Sequence, residues 1–160
     1  MAGSPDRSGD EEDQSRPPPG SSGTWLLVSD IDDTLDGDRQ ALFDFARQWT
    51  SLLLVVNSSR PRRSVERTLQ QFPRELKIHG SITALGTEIS LLGEELSTWS
   101  DRFRPWCREE IFQYLRRAGF RPHDEEFQAP YKVSFAVPRP CWAEVGRALR
   151  DRFDGLQIVQ

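Results

Sequence analysis

The chain has 160 residues, 36% of them hydrophobic and 29% charged, and a formal net charge of −4; that length holds one domain, or a domain with a small attachment. Most of the excess negative charge lies in residues 1–23, while residues 24–160 carry 20 acids against 19 Lys and Arg, so no basic surface argues for a nucleic-acid partner. The N-terminal residues lack the apolar stretch of a signal peptide and the longest strongly apolar run, Leu52–Val56, is far too short to cross a bilayer, so a cytoplasmic protein with no membrane partner is expected.

Residues 1–23 contain one Met, one Ala and otherwise Ser, Gly, Pro, Gln, Arg and acids, a composition that predicts a disordered tail. Trp25–Val28 is apolar without a helical period and reads as a buried strand. An Asp-rich loop follows. Asp38 is placed to cap a helix running to Trp49, with Leu42, Phe45, Ala46 and Trp49 on one face. Leu52–Val56 reads as a second buried strand, and residues 57–61 as a polar loop. Pro61 suits a helix start, and Val65, Leu69 and Phe72 make a stripe that Pro73 ends. A third strand is expected over Ser81–Leu85, then a turn at Gly86 and a short strand Glu88–Leu92. Strand, helix, strand, helix, strand is the pattern of a parallel α/β sheet.

The pattern then changes. Residues 103–118 read as a helix with Phe103, Trp106, Ile111, Phe112 and Leu115 on its apolar side, stopped by Gly119. Tyr131–Val137 alternates like a strand, Pro140–Phe153 reads as a helix and Leu156–Val159 as a strand. This half is expected to be α+β, with a boundary near Gly93. Cys107 and Cys141 match no metal or redox spacing and read as ordinary thiols in a reducing compartment.

The densest feature is Val28-Ser-Asp-Ile-Asp-Asp-Thr-Leu-Asp-Gly-Asp38, with five aspartates in eleven residues. A merely solvated loop would not need to follow an apolar strand, the place where α/β sheets bind ligands. A calcium loop starting at Asp32 would need a ligand where Phe43 stands, and one starting at Asp30 where Ala41 stands. The spacing Asp30-x-Asp32 lets two carboxylates on an extended chain point to one site.

Asp30-Ile31-Asp32-Asp33-Thr34 resembles the first motif of the haloacid dehalogenase superfamily. The resemblance implies that Asp30 is the nucleophile that forms an aspartyl phosphate and Asp32 the general acid and base. It also implies Mg2+ held by Asp30 and by Asp32 through its main-chain carbonyl, and Thr34 bracing the phosphate-binding loop. Ser58, at the end of the next strand, matches the second motif, a hydroxyl that donates to the phosphoryl group. Arg60, Arg62 and Arg63 follow, either to hold phosphate or simply as a solvated helix start.

The runs LLVSDIDDTLDGDRQAL, LLLVVNSSRP, ITALGTEI and YKVSF together are similar to the sucrose-phosphate phosphatase family, in the same order and over most of residues 25–160. Ser58-Ser59-Arg60 departs from that family's usual Thr-Gly-Arg. The resemblance implies a Rossmann-like hydrolase core over 24–92 and an α+β cap from 93 onward that shields the site and contacts the sugar. Gly86, Thr87 and Glu88 are candidates for the substrate side, with a plain turn as the alternative.

The superfamily has two further motifs, a Lys and a Gly-Asp-x-x-x-Asp pair, and no such acidic pair follows Ser58. Asp151 and Asp154 end a helical pattern and read as surface residues. Lys132 is a candidate for the missing cation or for a substrate-facing cap residue. The expectation is therefore an incomplete core followed by a partial cap, an N-terminal part of a longer phosphatase with an exposed apolar sheet edge and little turnover alone. The implied activity is Mg2+-dependent hydrolysis of a sugar phosphate, sucrose 6-phosphate first, in sucrose synthesis. The alternatives are another disaccharide or glycosyl phosphate, or a non-catalytic module that binds or regulates a glycosyltransferase such as sucrose-phosphate synthase.

Overall fold

The computed structural model describes residues 24–48 and 51–159. The expected tail at 1–23 and Trp49 lie outside the described residues. Strands β1 (Trp25–Ser29), β2 (Leu52–Asn57), β3 (Ile78–Thr83), β4 (Glu88–Leu91) and β5 (Glu94–Glu95) form one sheet in that order. The first three run parallel, joined through helices α1 (Arg39–Gln48) and α2 (Arg62–Leu69). β4 and β5 run antiparallel to their neighbours. The α/β class is as expected, and the chain turns back after β3 because Ala84, Leu85 and Gly86 all take positive φ.

The core under this sheet is Ile31, Val56 and Val65, with Leu35, Leu69, Phe72 and Ile78 packed against it. Every apolar stripe residue of α2 named from its period is used here. Leu42 and Ala46 are the buried positions of α1, and Asp38 Oδ1 accepts the N–H groups of Gln40 (2.9 Å) and Ala41 (3.0 Å), the cap its position suggested. β3 begins earlier than expected and ends at Thr83, because β2 reaches back to pair with Ile78. Between Leu54 and Val55 the register slips by one residue, a bulge that leaves His79 unpaired in the ladder.

Both strands read as buried fall short of that: Leu53 on β2 is 41% exposed, and β1 departs further. β1 is an edge strand rather than a buried one: Trp25 is 47%, Leu26 64% and Val28 49% exposed. It pairs with β2 alone, and an apolar strand is buried only where other elements cover it.

A second apolar cluster joins helices α4 (Arg108–Arg117) and α5 (Trp142–Arg152) through Ile111, Leu115, Leu149 and Phe153. Between the sheet and α4 lie the short helix α3 (Ser97–Ser100) and a 3-10 turn at Asp101–Phe103. The helix expected from residue 103 starts only at Arg108. Pro105 lies in the preceding turn, and its ring and missing N–H are incompatible with a helix interior. Gly119, at φ +88°, ends α4, and Phe120 N–H closes the turn onto Leu115 O.

The strand expected over 131–137 shrinks to β7 (Phe135–Ala136), paired antiparallel with β6 (Arg121–Pro122), plus one bridge between Ala129 and Lys132. No strand forms at 156–159 among the described residues. Both segments keep their apolar side chains for packing instead: Val133, Phe135, Leu156 and Ile158 lie against the α4–α5 cluster. Alternation signals a face to bury, and here helices rather than neighbouring strands bury it.

Candidate active site

Three strand ends meet at the carboxyl edge of the parallel sheet. The β1–β2 register sets Ser29 beside Val56, so the residues that follow, Asp30 and Asn57–Ser58, leave the sheet together. Ser58 N–H donates to Ile82 O at 2.9 Å and extends the ladder toward β3. Ala84 N–H then donates to Arg60 O at 2.8 Å, which fastens the turn after β3 to the loop after β2. This edge is where open α/β sheets take ligands.

The Asp-rich loop is a tight turn rather than a helix. Ile31 is fully buried in the core, while Asp30 and Asp32 on either side of it are exposed. Extended backbone at Asp30 and Asp32 produces that alternation. Asp33 takes φ +58° and its N–H donates to Asp36 Oδ1 at 2.8 Å, while Asp36 N–H closes onto Ile31 O at 3.2 Å. Asp33, Asp36 and Asp38 thus shape the turn and cap the next helix. Thr34 sits exposed on the turn. Among the described residues nothing hydrogen-bonds the Asp30 carboxylate, whereas Asp32 is paired: Arg60 Nη1 lies 2.9 Å from its Oδ1.

Ser58 is 3% exposed, and its Oγ accepts Arg60 N–H at 3.2 Å. A hydroxyl that accepts from its own loop keeps its proton to donate elsewhere. Lys132 reaches this loop from the second half of the chain and donates from Nζ to Ser59 O at 2.9 Å. Burial holds its pKa below the ordinary lysine value, with the Glu88 carboxylate opposing the shift.

Gly86, Thr87 and Glu88 use their polar groups within the fold. Gly86 O accepts Trp99 Nε1–H at 2.8 Å, and Thr87 Oγ1 donates to Ala84 O at 2.9 Å. Glu88 Oε2 accepts from Thr83 Oγ1 (3.0 Å) and from Arg62 N–H at the start of α2 (2.9 Å). Asp151 and Asp154 are exposed, as expected for surface residues.

Of the three arginines, Arg62 pairs with Glu95 and Glu66 at the surface. Arg60 turns inward onto Ser64 and Thr68, and nothing in the run of three arginines marks it out from the other two. Its signal was the spacing Arg60-x-x-x-Ser64-x-x-x-Thr68, which sets Ser64 and Thr68 on one side of α2, beneath a residue just before its start.

For a metal, the exposed Asp30 carboxylate, without a hydrogen-bond partner among the described residues, offers a side-chain donor at this edge. Among the described residues no group of three His, Cys, Asp or Glu side chains is arranged to hold an ion. Mg2+ keeps several waters and binds through one or two carboxylates plus substrate phosphate, so this donor set fits a largely hydrated magnesium ion. Among the described residues no helix is long and apolar enough to cross a membrane.

The sequence matches the family model of sucrose-6F-phosphate phosphohydrolase over residues 24–158. No curated protein matches the chain. Among solved structures, the fold is similar to the sucrose-phosphatase of Synechocystis in complex with sucrose and phosphate. The TM-score is 0.72 at 20% identity, over 86% of this chain and 60% of that one. A haloacid dehalogenase-like hydrolase from Bacillus subtilis aligns with a TM-score of 0.48 at 14% identity, over 80% of this chain and 55% of that one. The chain therefore spans 60% of the length of the sucrose-phosphatase it is similar to.

Proposed function

The chain belongs to the sucrose-6F-phosphate phosphohydrolase family, and from that membership we propose that it hydrolyses a sugar phosphate, sucrose 6-phosphate first, with Asp30 as the nucleophile. The observation that carries the reading is the exposed Asp30 carboxylate at the end of β1, unpaired among the described residues, beside the Asp32–Arg60 pair and the Ser58 loop.

In the first half-reaction a carboxylate oxygen of Asp30 attacks phosphorus and the bond from phosphorus to the sugar oxygen breaks. Asp32 gives that oxygen its proton, and an aspartyl phosphate remains on Asp30. In the second, water attacks the same phosphorus and passes a proton to Asp32. The acyl phosphate bond breaks and inorganic phosphate leaves, which restores both side chains. Ser58 donates its hydroxyl proton to a phosphoryl oxygen. Lys132 has two further N–H donors beyond the one on Ser59 O, and in this reading they serve the anion. Magnesium, held by Asp30 and the Asp32 carbonyl, would offset the repulsion between carboxylate and phosphate.

Residues 93–160 act in this reading as the cap over residues 24–92, with Lys132 and Trp99 as its contacts to the site loops. The activity would complete sucrose synthesis in the cytoplasm, downstream of the glycosyltransferase that makes the phosphate ester.

The test is phosphate release from sucrose 6-phosphate by the full chain with Mg2+, beside Asp30→Asn. Magnesium-dependent release that Asp30→Asn abolishes supports the reading. Release that survives Asp30→Asn overturns it. No release from either chain, with sucrose 6-phosphate bound equally by both, favours the binding module instead.

A further inference from the structure

We propose that Arg60 is the positioning residue of the acid and base Asp32, a role that rests on the phosphatase reading above. An isolated Asp–Arg pair at a surface contributes little and holds no fixed geometry. This one differs at its arginine end. The Arg60 side chain is 23% exposed, and its guanidinium is clamped to the first turns of α2 before it reaches Asp32. Nε donates to Ser64 Oγ (3.1 Å), and Nη2 contacts Ser64 Oγ (2.9 Å), Ser64 O (3.0 Å) and Thr68 Oγ1 (2.8 Å). Ser64 is itself buried. The main chain is fixed as well, with Arg60 N–H on Ser58 Oγ and Arg60 O holding Ala84 N–H.

Only Nη1 projects from this clamp, and it takes only one oxygen of Asp32, Oδ1 at 2.9 Å. A two-pronged arginine–carboxylate pair would occupy both oxygens. The single contact sets the carboxyl rotamer and leaves Oδ2 to carry the proton to and from the reacting oxygens. Asp32 stands on an exposed turn, 48% exposed, and has no other side-chain hydrogen bond among the described residues, so its orientation depends on Arg60. An arginine clamped against α2 therefore aims an exposed carboxyl group that has no other side-chain partner among the described residues, and proximity catalysis requires that aim.

The experiment separates leaving groups, on the full chain with Mg2+. A sugar alkoxide must be protonated as it departs; p-nitrophenolate leaves unprotonated. Arg60→Ala should lower kcat on sucrose 6-phosphate about 100-fold and on p-nitrophenyl phosphate only a few-fold, the split expected when a general acid is lost. Asp32→Asn should show the same split, and the double variant should be no slower than Asp32→Asn alone. Arg60→Lys, which keeps the charge without the fork, should stay near the Ala variant. Thr68→Val removes one clamp, should show a weaker version of the split, and carries the comparison if Arg60→Ala does not fold. Equal losses on both esters, a further loss in the double variant, or full rescue by Arg60→Lys would each overturn the proposal. An unmodified chain inactive on both esters overturns the phosphatase reading itself, and this role with it.

Discussion

The Glu88 carboxylate, carried on β4, accepts the main-chain N–H of Arg62 at the first residue of α2 at 2.9 Å. The same oxygen accepts the hydroxyl of Thr83, which is 1% exposed. Pro61 precedes α2 and has no side-chain acceptor to cap it, so Glu88 supplies from a distant strand what a local Ser or Asp usually supplies. Glu88→Ala leaves a helix N–H and a buried hydroxyl without their acceptor and should cost about 2 kcal/mol in urea unfolding. Glu88→Gln keeps an acceptor oxygen and should lose well under half of that. Equal losses in the two variants would remove the capping account.

His79 occupies the bulge between β2 and β3, and its Nδ1 accepts the N–H of Leu54 at 3.1 Å. A side chain here replaces the carbonyl that the register slip removed from the ladder. Leu54 is 1% exposed, so its N–H has no ready recourse to water. His79→Ala should destabilise the fold by about 1–3 kcal/mol, the cost of a buried unpaired donor. His79→Asn, whose Oδ1 can take the place of Nδ1, should recover most of the loss. Rapid exchange of the Leu54 amide in the Ala variant, and slow exchange in Asn, would be the local signature.

How much of this was legible beforehand follows from which interactions are local in sequence. The Asp30-x-Asp32 spacing, the Asp38 cap and the Val65–Leu69–Phe72 stripe are short-range patterns, and all appear in the fold. An exposed apolar sheet edge was expected, but not that Trp25, Leu26 and Val28 would form it, because an apolar run states what would bury well and not what lies beside it. Arg60 hid among three neighbouring arginines until α2 brought Ser64 and Thr68 under it. The seven-residue strand expected at 131–137 failed for the same kind of reason: its alternation is real, but the partner surface is α4 and α5.

Lys132 gives a pH dependence whose sign is set by burial. Its pKa in the folded chain lies below the ordinary 10.5, chiefly because burial disfavours the ammonium, while Glu88 opposes the shift. The unfolded chain therefore holds the proton more tightly, and proton uptake on unfolding makes stability rise with pH. The favourable contribution is fully present above pH 10.5 and is lost as pH falls through the depressed folded value. Lys132→Met has no such proton. The stability of the unmodified chain relative to Lys132→Met should climb between the folded pKa and 10.5 and be flat on either side. Parallel stability curves across that window would contradict the burial argument.

Gly80 is required by the approach of β4 to β3. A Cβ added there would stand 2.9 Å from Leu91 Cδ2 and 3.0 Å from Ser90 O. The leucine can turn away. The carbonyl cannot, since Ser90 belongs to the strand paired with β3. Gly80→Ala should therefore cost about 1–3 kcal/mol, the usual range for overpacking. Adding Leu91→Ala should return only part of it, because the backbone contact stays. The strain falls on the β3–β4 pair that carries Glu88, so the variant should also speed amide exchange at Arg62, the residue Glu88 caps. A Gly80→Ala chain as stable as the original, or one fully restored by Leu91→Ala, would show that the strands can separate without cost and that the close contact does not hold Glu88 in place.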